Sequence, residues 1–429
     1  MSIARENSEM FLKKLFSVYY ENKSLYVPMH LEKREFGFFL FEKGIMLRHV
    51  SFRTHMELQN YVKTAVPRHI YYSSAFYELP SMKTMNEKKW IGAELIFDID
   101  ADHINTPCKK VHDKWTCLDC GHSGFGLPPK RCPVCKSTKI KHDSWICEKC
   151  LAKAKEETVK IIEEFLMNDF GISKSEITVF YSGHRGYHIH VNSDFIYQLG
   201  QSERREIANY ILGINIIPEY HGFLEITSSG KNILLPPQKN DIGWRGRLIT
   251  ALISVIKNIE FFEDVPLSKK KLQIIKSNKQ QILHALSMNP PHLKAVRGLN
   301  KHDLRSLIVF SAKIFGGKID APVTADIKRL IRLPNSLHGK TGFIVKAVPL
   351  SEIDSFNPLV DAIAFTKGEV TLKLIDSTPS IIINNETYGP YKKDAYVTVP
   401  LSVGVYLLAR GKAELGGDIN VSEGIFYLG

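Results

Sequence analysis

All seven cysteines of this chain fall between Cys108 and Cys150. A disulfide framework would scatter them along the chain, whereas clustered C-x2-C pairs without a secretion signal point to metal binding. Cys117-x2-Cys120 and Cys132-x2-Cys135 are separated by eleven residues that include Gly121, Gly124, Gly126 and Pro128-Pro129. Each pair makes a tight knuckle, and two knuckles at this spacing make a four-cysteine zinc ribbon. Cys108-x3-His112 lies upstream and Cys147-x2-Cys150 downstream, so eight ligands are present, enough for two tetrahedral Zn²⁺ ions. Two partitions satisfy that count. In the nested one, Cys108, His112, Cys147 and Cys150 form an outer knuckle interrupted by the inner ribbon; in the sequential one, Cys108, His112, Cys117 and Cys120 hold one ion and the last four cysteines the other. The nested partition is adopted. His103, His122 and His142 are close by and are read as surface residues. Structural zinc sites are closed, so neither ion is expected to do chemistry.

Just before this block, Gly92 to Asp102 reads GAELIFDIDAD. The short apolar run with β-branched and aromatic residues predicts a strand. Alternation puts Asp98 and Asp100 on one face and Leu95, Phe97 and Ile99 on the other, toward a core. Two carboxylates on one face repel unless a cation sits between them, and hard oxygen ligands suit Mg²⁺ or Mn²⁺. A third carboxylate would complete a two-metal site for phosphoryl chemistry. A strand ending in solvated aspartates has the same pattern, so D-x-D alone decides nothing.

The 429 residues suffice for two or three domains with a well-buried core. Lys and Arg total 57 against 45 acids, a net charge of +12 that permits a polyanionic partner. The longest apolar stretches, such as Leu248 to Ile256, fall far short of the ~20 residues that span a membrane. Arg5, Glu6 and Glu9 precede Met10 with no hydrophobic signal region, so a soluble, non-secreted protein is expected.

Along the chain, residues 8–23 and 54–64 read as helices and 30–52 as two or three strands, with Arg48 in the last. Residues 151–167 read as a helix with Val159, Ile162, Phe165 and Leu166 as its apolar stripe and Gly171 near its stop. The strand ITVFY at 177–181 leads into Ser182-Gly183-His184-Arg185-Gly186-Tyr187-His188. Glycines let backbone amides approach an anion, Arg185 offers a bidentate fork and His188 a donor; a polar hairpin loop reads the same way. Residues 201–315 read as mostly helical, and Lys269-Lys270-Lys271 as a solvated helix start. A short helix with Thr324 as N-cap is expected over 324–332, ended by Pro334. The following loop NSLHGKTG carries His338 and Lys340, which with Arg332 form a second candidate phosphate cradle or a solvated basic turn. The pattern does not choose between Asp320 and Asp326 as a third metal ligand. A helix near 401–410 and short strands are expected beyond residue 355.

Four segments, REFGF with the following LRHVSF, ELIFDID, SGHRGYHIHV and KIDAPVTADIKRLIRLPNSLHGKTG, together closely resemble the small, catalytic subunit of the archaeal and eukaryotic DNA primase. The resemblance runs from about His30 to Phe343, with weaker likeness in VPLSVGVYLLARGKAEL. It implies an α+β fold with a mixed-sheet primase core, a helical subdomain and an inserted zinc-binding motif. The implied division is 1–200 for the first part of the core, with the zinc motif at 103–150, then 201–312 helical, 313–355 completing the core and 356–429 packed on it. The resemblance maps the catalytic metal ligands to Asp98, Asp100 and Asp320. It maps triphosphate contacts to Ser182, His184, Arg185, His188, Arg332 and His338, and an N-terminal motif arginine to Arg48. It favours the outer pairing of Cys108 and His112 with Cys147 and Cys150. His184 stands where the family usually has arginine, and Cys117 to Cys135 is an insertion. Implied partners are a primase large subunit in a heterodimer, single-stranded DNA template, nucleoside triphosphates and the replication machinery, with no membrane. The implied setting is the cytoplasm of an archaeal-like cell, with activity at the nucleoid. The implied activity is primer synthesis. The rivals are a repair primase-polymerase and a non-catalytic zinc-ribbon scaffold.

Overall fold

The computed structural model describes residues 3–42, 44–228, 231–262, 264–294 and 298–417. The chain divides into two units. The first comprises Met1–Thr158, Ser175–Gln201 and Pro322–Gly429; the second comprises Val159–Lys174 and Ser202–Ala321. The expected 356–429 segment falls in the first, and its last twelve residues lie outside the described residues.

The first unit is built on two four-stranded sheets. One has the order β7-β3-β1-β2, from β1 (Phe36–Phe39), β2 (Met46–Val50), β3 (His69–Ser73) and β7 (Leu330–Arg332). The other has the order β8-β5-β6-β4, from β4 (Leu95–Asp100), β5 (Ile177–Tyr181), β6 (Gly186–Val191) and β8 (Lys346–Val348). Every pairing is antiparallel. The expected mixed sheet is therefore corrected: β5 and β6 form a tight hairpin, and β4 and β8 add antiparallel at its two edges. The short turn between β5 and β6 permits only an antiparallel pair, since a parallel one needs a crossover of about a dozen residues or more.

Helix α1 (Ile3–Asn22) buries Phe11, Leu12, Leu15, Phe16, Tyr19 and Tyr20, the stripe its 3.6-residue period dictates. Helix α2 (His55–Ala65) is capped by Thr54, whose side chain accepts from the Glu57 amide. Near the C-terminus, Glu369–Leu374 pairs with Tyr396–Pro400 and Ala413–Leu415, and the apolar helix Leu401–Ala409 is buried along its whole length. No helix among the described residues is long and apolar enough to cross a membrane.

Helix α3 (Glu148–Lys160) continues through Ile161–Met167 in wider turns, closed by Asn168 N–H to Glu163 O at 3.1 Å. In the second unit, α4 (Trp244–Lys257) packs on α5 (Lys301–Phe315), with Trp244, Leu248, Leu252, Leu307 and Ile308 buried. Arg247 pairs with Asp169 at 2.9 Å and Glu164 at 3.2 Å. This unit also holds a three-stranded sheet, Leu224–Ser228, Lys231–Leu235 and Leu293–Lys294, which the helical reading of 201–315 missed.

The expected helix at 324–332 is also corrected. Helix α6 spans Ala321–Ala325, with Pro322 in its first turn, and 330–332 is β7, paired with β3. Asp326 Oδ1 accepts the Lys328 amide at 2.9 Å, a local turn that competes with helix continuation. Leu330 and Ile331 then take the period of two that a sheet edge needs.

Candidate active site and zinc centres

The acidic strand owes its place to pairing. In β4 the buried residues Leu95, Phe97 and Ile99 alternate with Asp98 and Asp100, both half-buried. Across the ladder Asp98 stands opposite His188 and Asp100 opposite Gly186. His188 Nε2 lies 3.7 Å from Asp98 Oδ1. Burial, then the charges of His190, Arg332 and Arg329, push the His188 pKa well below that of an ordinary histidine. Burial thus disfavours a charged imidazole beside the Asp98 carboxylate. Burial and the negative charge of Asp102 raise the Asp100 pKa, while the Asp102 N–H donates to Asp100 Oδ1 at 2.8 Å. A crowded carboxyl of that kind gains most from a cation.

Two glycines allow the turn. Gly183 sits at φ 76°, and a Cβ there would come 2.7 Å from His338 Cβ. A Cβ on Gly186 would fall 2.0 Å from Ile99 O, so only glycine lets β6 lie against β4 at this rung. The Ser182 N–H donates to Gly186 O at 2.9 Å, and Tyr181 Oη donates to His184 O at 2.7 Å.

The two candidate cradles are one assembly. Thr341 Oγ1 donates to Gly183 O at 2.6 Å, and the His184 ring stacks on His338 with centroids 5.0 Å apart. His69 packs against His338, and its Nδ1 accepts the Gly339 amide at 3.2 Å. Arg332, at the end of β7, lies over Tyr71, and its Nε is buried without a hydrogen-bond partner. Burial, then Arg332, His184, His69 and Lys340, drive the His338 pKa well down. Burial, then Arg410, Arg332, Arg185 and Lys340, do the same to His184. The Lys340 ammonium is disfavoured by burial and by Arg332, Arg410 and Arg68. So many cations and neutral imidazoles crowded together make a place for an anion.

Two predicted phosphate ligands are engaged otherwise. Arg185 is fully buried, pairing with Asp102 at 2.8 Å and Asp113 at 3.3 Å. Arg48, partly exposed, holds buried Glu35 at 3.1 Å, which also takes Lys88 at 2.8 Å. Asp320 is half-buried, just before α6, and belongs to the second unit. Sequence reading missed Asp102, Asp113 and His69, and Arg410, whose Nη1 lies 3.5 Å from His184 Nε2. In sequence, the segment containing Arg410 carries only a weak likeness to the family.

The cysteines gather as nested sets. Cys108, His112, Cys147 and Cys150 bring their ligand atoms within 4.8 Å of one another, and so do Cys117, Cys120, Cys132 and Cys135. Among the described residues these are the groups of three or more such ligands, and Asp98 and Asp100 belong to neither. The Cys108–Cys150 and Cys147–Cys108 sulfur separations are 3.5 and 3.7 Å, and Cys150 Sγ lies 3.7 Å from His112 Nε2. The inner pairs Cys117–Cys135 and Cys120–Cys132 are 3.5 and 3.6 Å apart. A tetrahedron with Zn–S near 2.3 Å has edges of about 3.7 Å, so both sets fit Zn²⁺.

Residues 140–349 match the family model described as DNA primase small subunit. The DNA primase small subunit PriS of Methanosarcina acetivorans is 33% identical, covering 96% of this chain and 97% of that protein. The chain belongs to the DNA primase small subunit family. The PriS proteins of Methanothrix thermoacetophila and Thermoplasma volcanium are each 32% identical over 95% of this chain and 98% of their own lengths. The two cysteine sets and the basic cluster lie on the same unit as the acidic strand, and Asp320 is assigned to the other unit.

Proposed function

We propose that this chain is the catalytic subunit of a DNA primase, a DNA-directed nucleotidyltransferase that makes short RNA primers on single-stranded DNA for replication. One observation supports this most directly. Asp98 and Asp100 share a face with His188, and the adjoining hairpin turn is hydrogen-bonded to the loop bearing His338 and Lys340, which follows Arg332 at the end of β7.

In this reading Asp98, Asp100 and Asp320 hold Mg²⁺ or Mn²⁺, which when bound supply Lewis acidity toward a 3′-hydroxyl and neutralise the leaving pyrophosphate. Asp320 rests on its place before α6 in the motif. Ser182, His184, His188, Arg332 and His338 face the triphosphate, with Lys340 and Arg410 adding charge. Fixed donors of this kind offset charge that grows in the transition state. Burial keeps His184 and His188 from charging, so each has a single ring N–H to offer an anion. Arg185 and Arg48 then act through their carboxylate partners. The two cysteine sets hold structural Zn²⁺.

Joining the first two nucleotides needs both held together on template, an entropically costly step that a large subunit would assist. Template would bind through basic surface with strong salt dependence. The proposed setting is the cytoplasm.

The test is synthesis on bare single-stranded DNA with labelled nucleotides. Asp98→Ala with Asp100→Ala should abolish product while template binding persists. Undiminished synthesis by that double variant rejects the catalytic reading, and extension without initiation indicates a primer-extending enzyme.

A further inference from the structure

Asp113 is fully buried, and three parts of the chain converge on its carboxylate. Oδ1 lies 2.7 Å from Nδ1 of His112, an outer-set ligand, and accepts the Trp145 amide at 2.8 Å. Oδ2 lies 3.3 Å from Arg185 Nη1 and 3.5 Å from His142 Nε2. Arg185 continues the path: its Nη1 pairs with Asp102 Oδ1 at 2.8 Å, and its Nη2 lies 3.7 Å from Cys150 Sγ. Its carbonyl accepts the Ala101 amide at 3.1 Å, and the Asp102 amide in turn holds Asp100 Oδ1 at 2.8 Å. A continuous run of polar contacts thus joins a zinc ligand to the carboxylate at the end of β4.

A buried ion pair is weak evidence for stability alone, because desolvation cancels much of its attraction. A carboxylate on the far nitrogen of a metal-binding histidine has a defined effect: it fixes the ring's tautomer and orientation. Asp113 does this for His112 and also anchors the guanidinium that braces the Asp100–Asp102 turn.

We infer that Asp113 is a positioning residue that couples the outer cysteine–histidine set to the orientation of Asp100, through Arg185 and Asp102. This rests on the reading of Asp98 and Asp100 as ligands of the catalytic cation. It gives Arg185 the role of a brace within the fold. The triphosphate is left to the neighbouring groups.

The experiment uses the full chain and reads three quantities. Mn²⁺ binding is followed by electron paramagnetic resonance, with Asp98→Ala plus Asp100→Ala as the baseline to subtract. Zn²⁺ retention is followed by competition with a chromophoric chelator. Nucleotide KM and kcat are measured separately. Asp113→Asn should weaken zinc retention at one site by about 10–100-fold, the range for losing such a partner. It should also weaken Mn²⁺ binding several-fold and lower kcat, with nucleotide KM little changed. His112→Gln, which leaves the four inner cysteines intact, should weaken Mn²⁺ binding in the same way. If Asp113→Asn folds poorly, the His112→Gln titration decides the matter. Unchanged Mn²⁺ binding in the folded variants overturns the coupling, as does an Arg185→Lys variant that raises nucleotide KM with Mn²⁺ binding and kcat intact. If the wild-type protein binds no more Mn²⁺ than the double-aspartate variant, the reading of the catalytic site fails instead.

Discussion

The two cysteine sets have nearly the same donor chemistry and opposite surroundings. In the outer set Cys150 and His112 are buried, Thr106 Oγ1 lies 3.3 Å from Cys150 Sγ, and Asp113 ties His112 to Arg185. In the inner set Cys120 and Cys135 are exposed. The small sheet beneath, Lys114–Cys117 between Ser123–Phe125 and Ile140–Asp143, leaves Leu118, Phe125 and Val134 each more than 60% exposed. Similar ligand sets therefore sit in different settings, one tied into a buried ion-pair network and one at the surface, depending on what their second partners touch.

The largest contrast is expected from the ligands themselves. Cys150→Ser should lower primer synthesis by more than about 100-fold and destabilise the first unit, because folding and metal binding are one equilibrium at such a site. Cys120→Ser should release one zinc per chain yet keep synthesis within about threefold of wild type. Parallel zinc counts and primer assays check both, and equal losses would erase the distinction. Next comes Gly186→Ala, which touches neither set. Its Cβ would meet Ile99 O at 2.0 Å and pry β6 from β4. A loss of about 3–5 kcal/mol in a denaturant titration is expected, with synthesis lost and both zincs retained. That result would show that the outer set matters through the strand it braces.

A smaller effect concerns pH. His184, His188 and His338 have folded pKa values well below the ordinary histidine value. The unfolded chain therefore takes up more protons as pH falls below about 6.5. Stability is fully present above that value and declines beneath it, toward the folded values. Melting temperatures between pH 8 and pH 5.5 should fall for the wild type and less steeply for His338→Gln. The smallest change is expected from Phe125→Ser on the inner ribbon, within about 0.5 kcal/mol, since its side chain is exposed.

Much of this was readable in sequence because local pattern carries it. Strand β4 announces its two faces by alternation, and C-x2-C spacing announces the knuckles. The exposed face of a helix and the edge of a sheet look alike over nine residues, so TADIKRLIR reads as a helix in sequence, although Asp326 closes a turn and 330–332 pairs with β3. The hairpin Leu224–Ser228 with Lys231–Leu235 was lost among helices for the same reason. Arg185 is the more instructive case. An arginine between glycines looks like an anion clamp, and only the fold reveals that Asp113, 72 positions earlier, claims its guanidinium. Pairings across such distances leave no local trace.

The inner ribbon leaves and rejoins the molecule at one rung, with Lys114 opposite Asp143. Asp143 is itself pinned by Arg410 and Lys412, each at 2.6 Å. A lineage could therefore shed or enlarge the part of the lobe beyond the Trp115–His142 rung while His142 keeps its contact with Asp113, and that part becomes an appendage free to diversify.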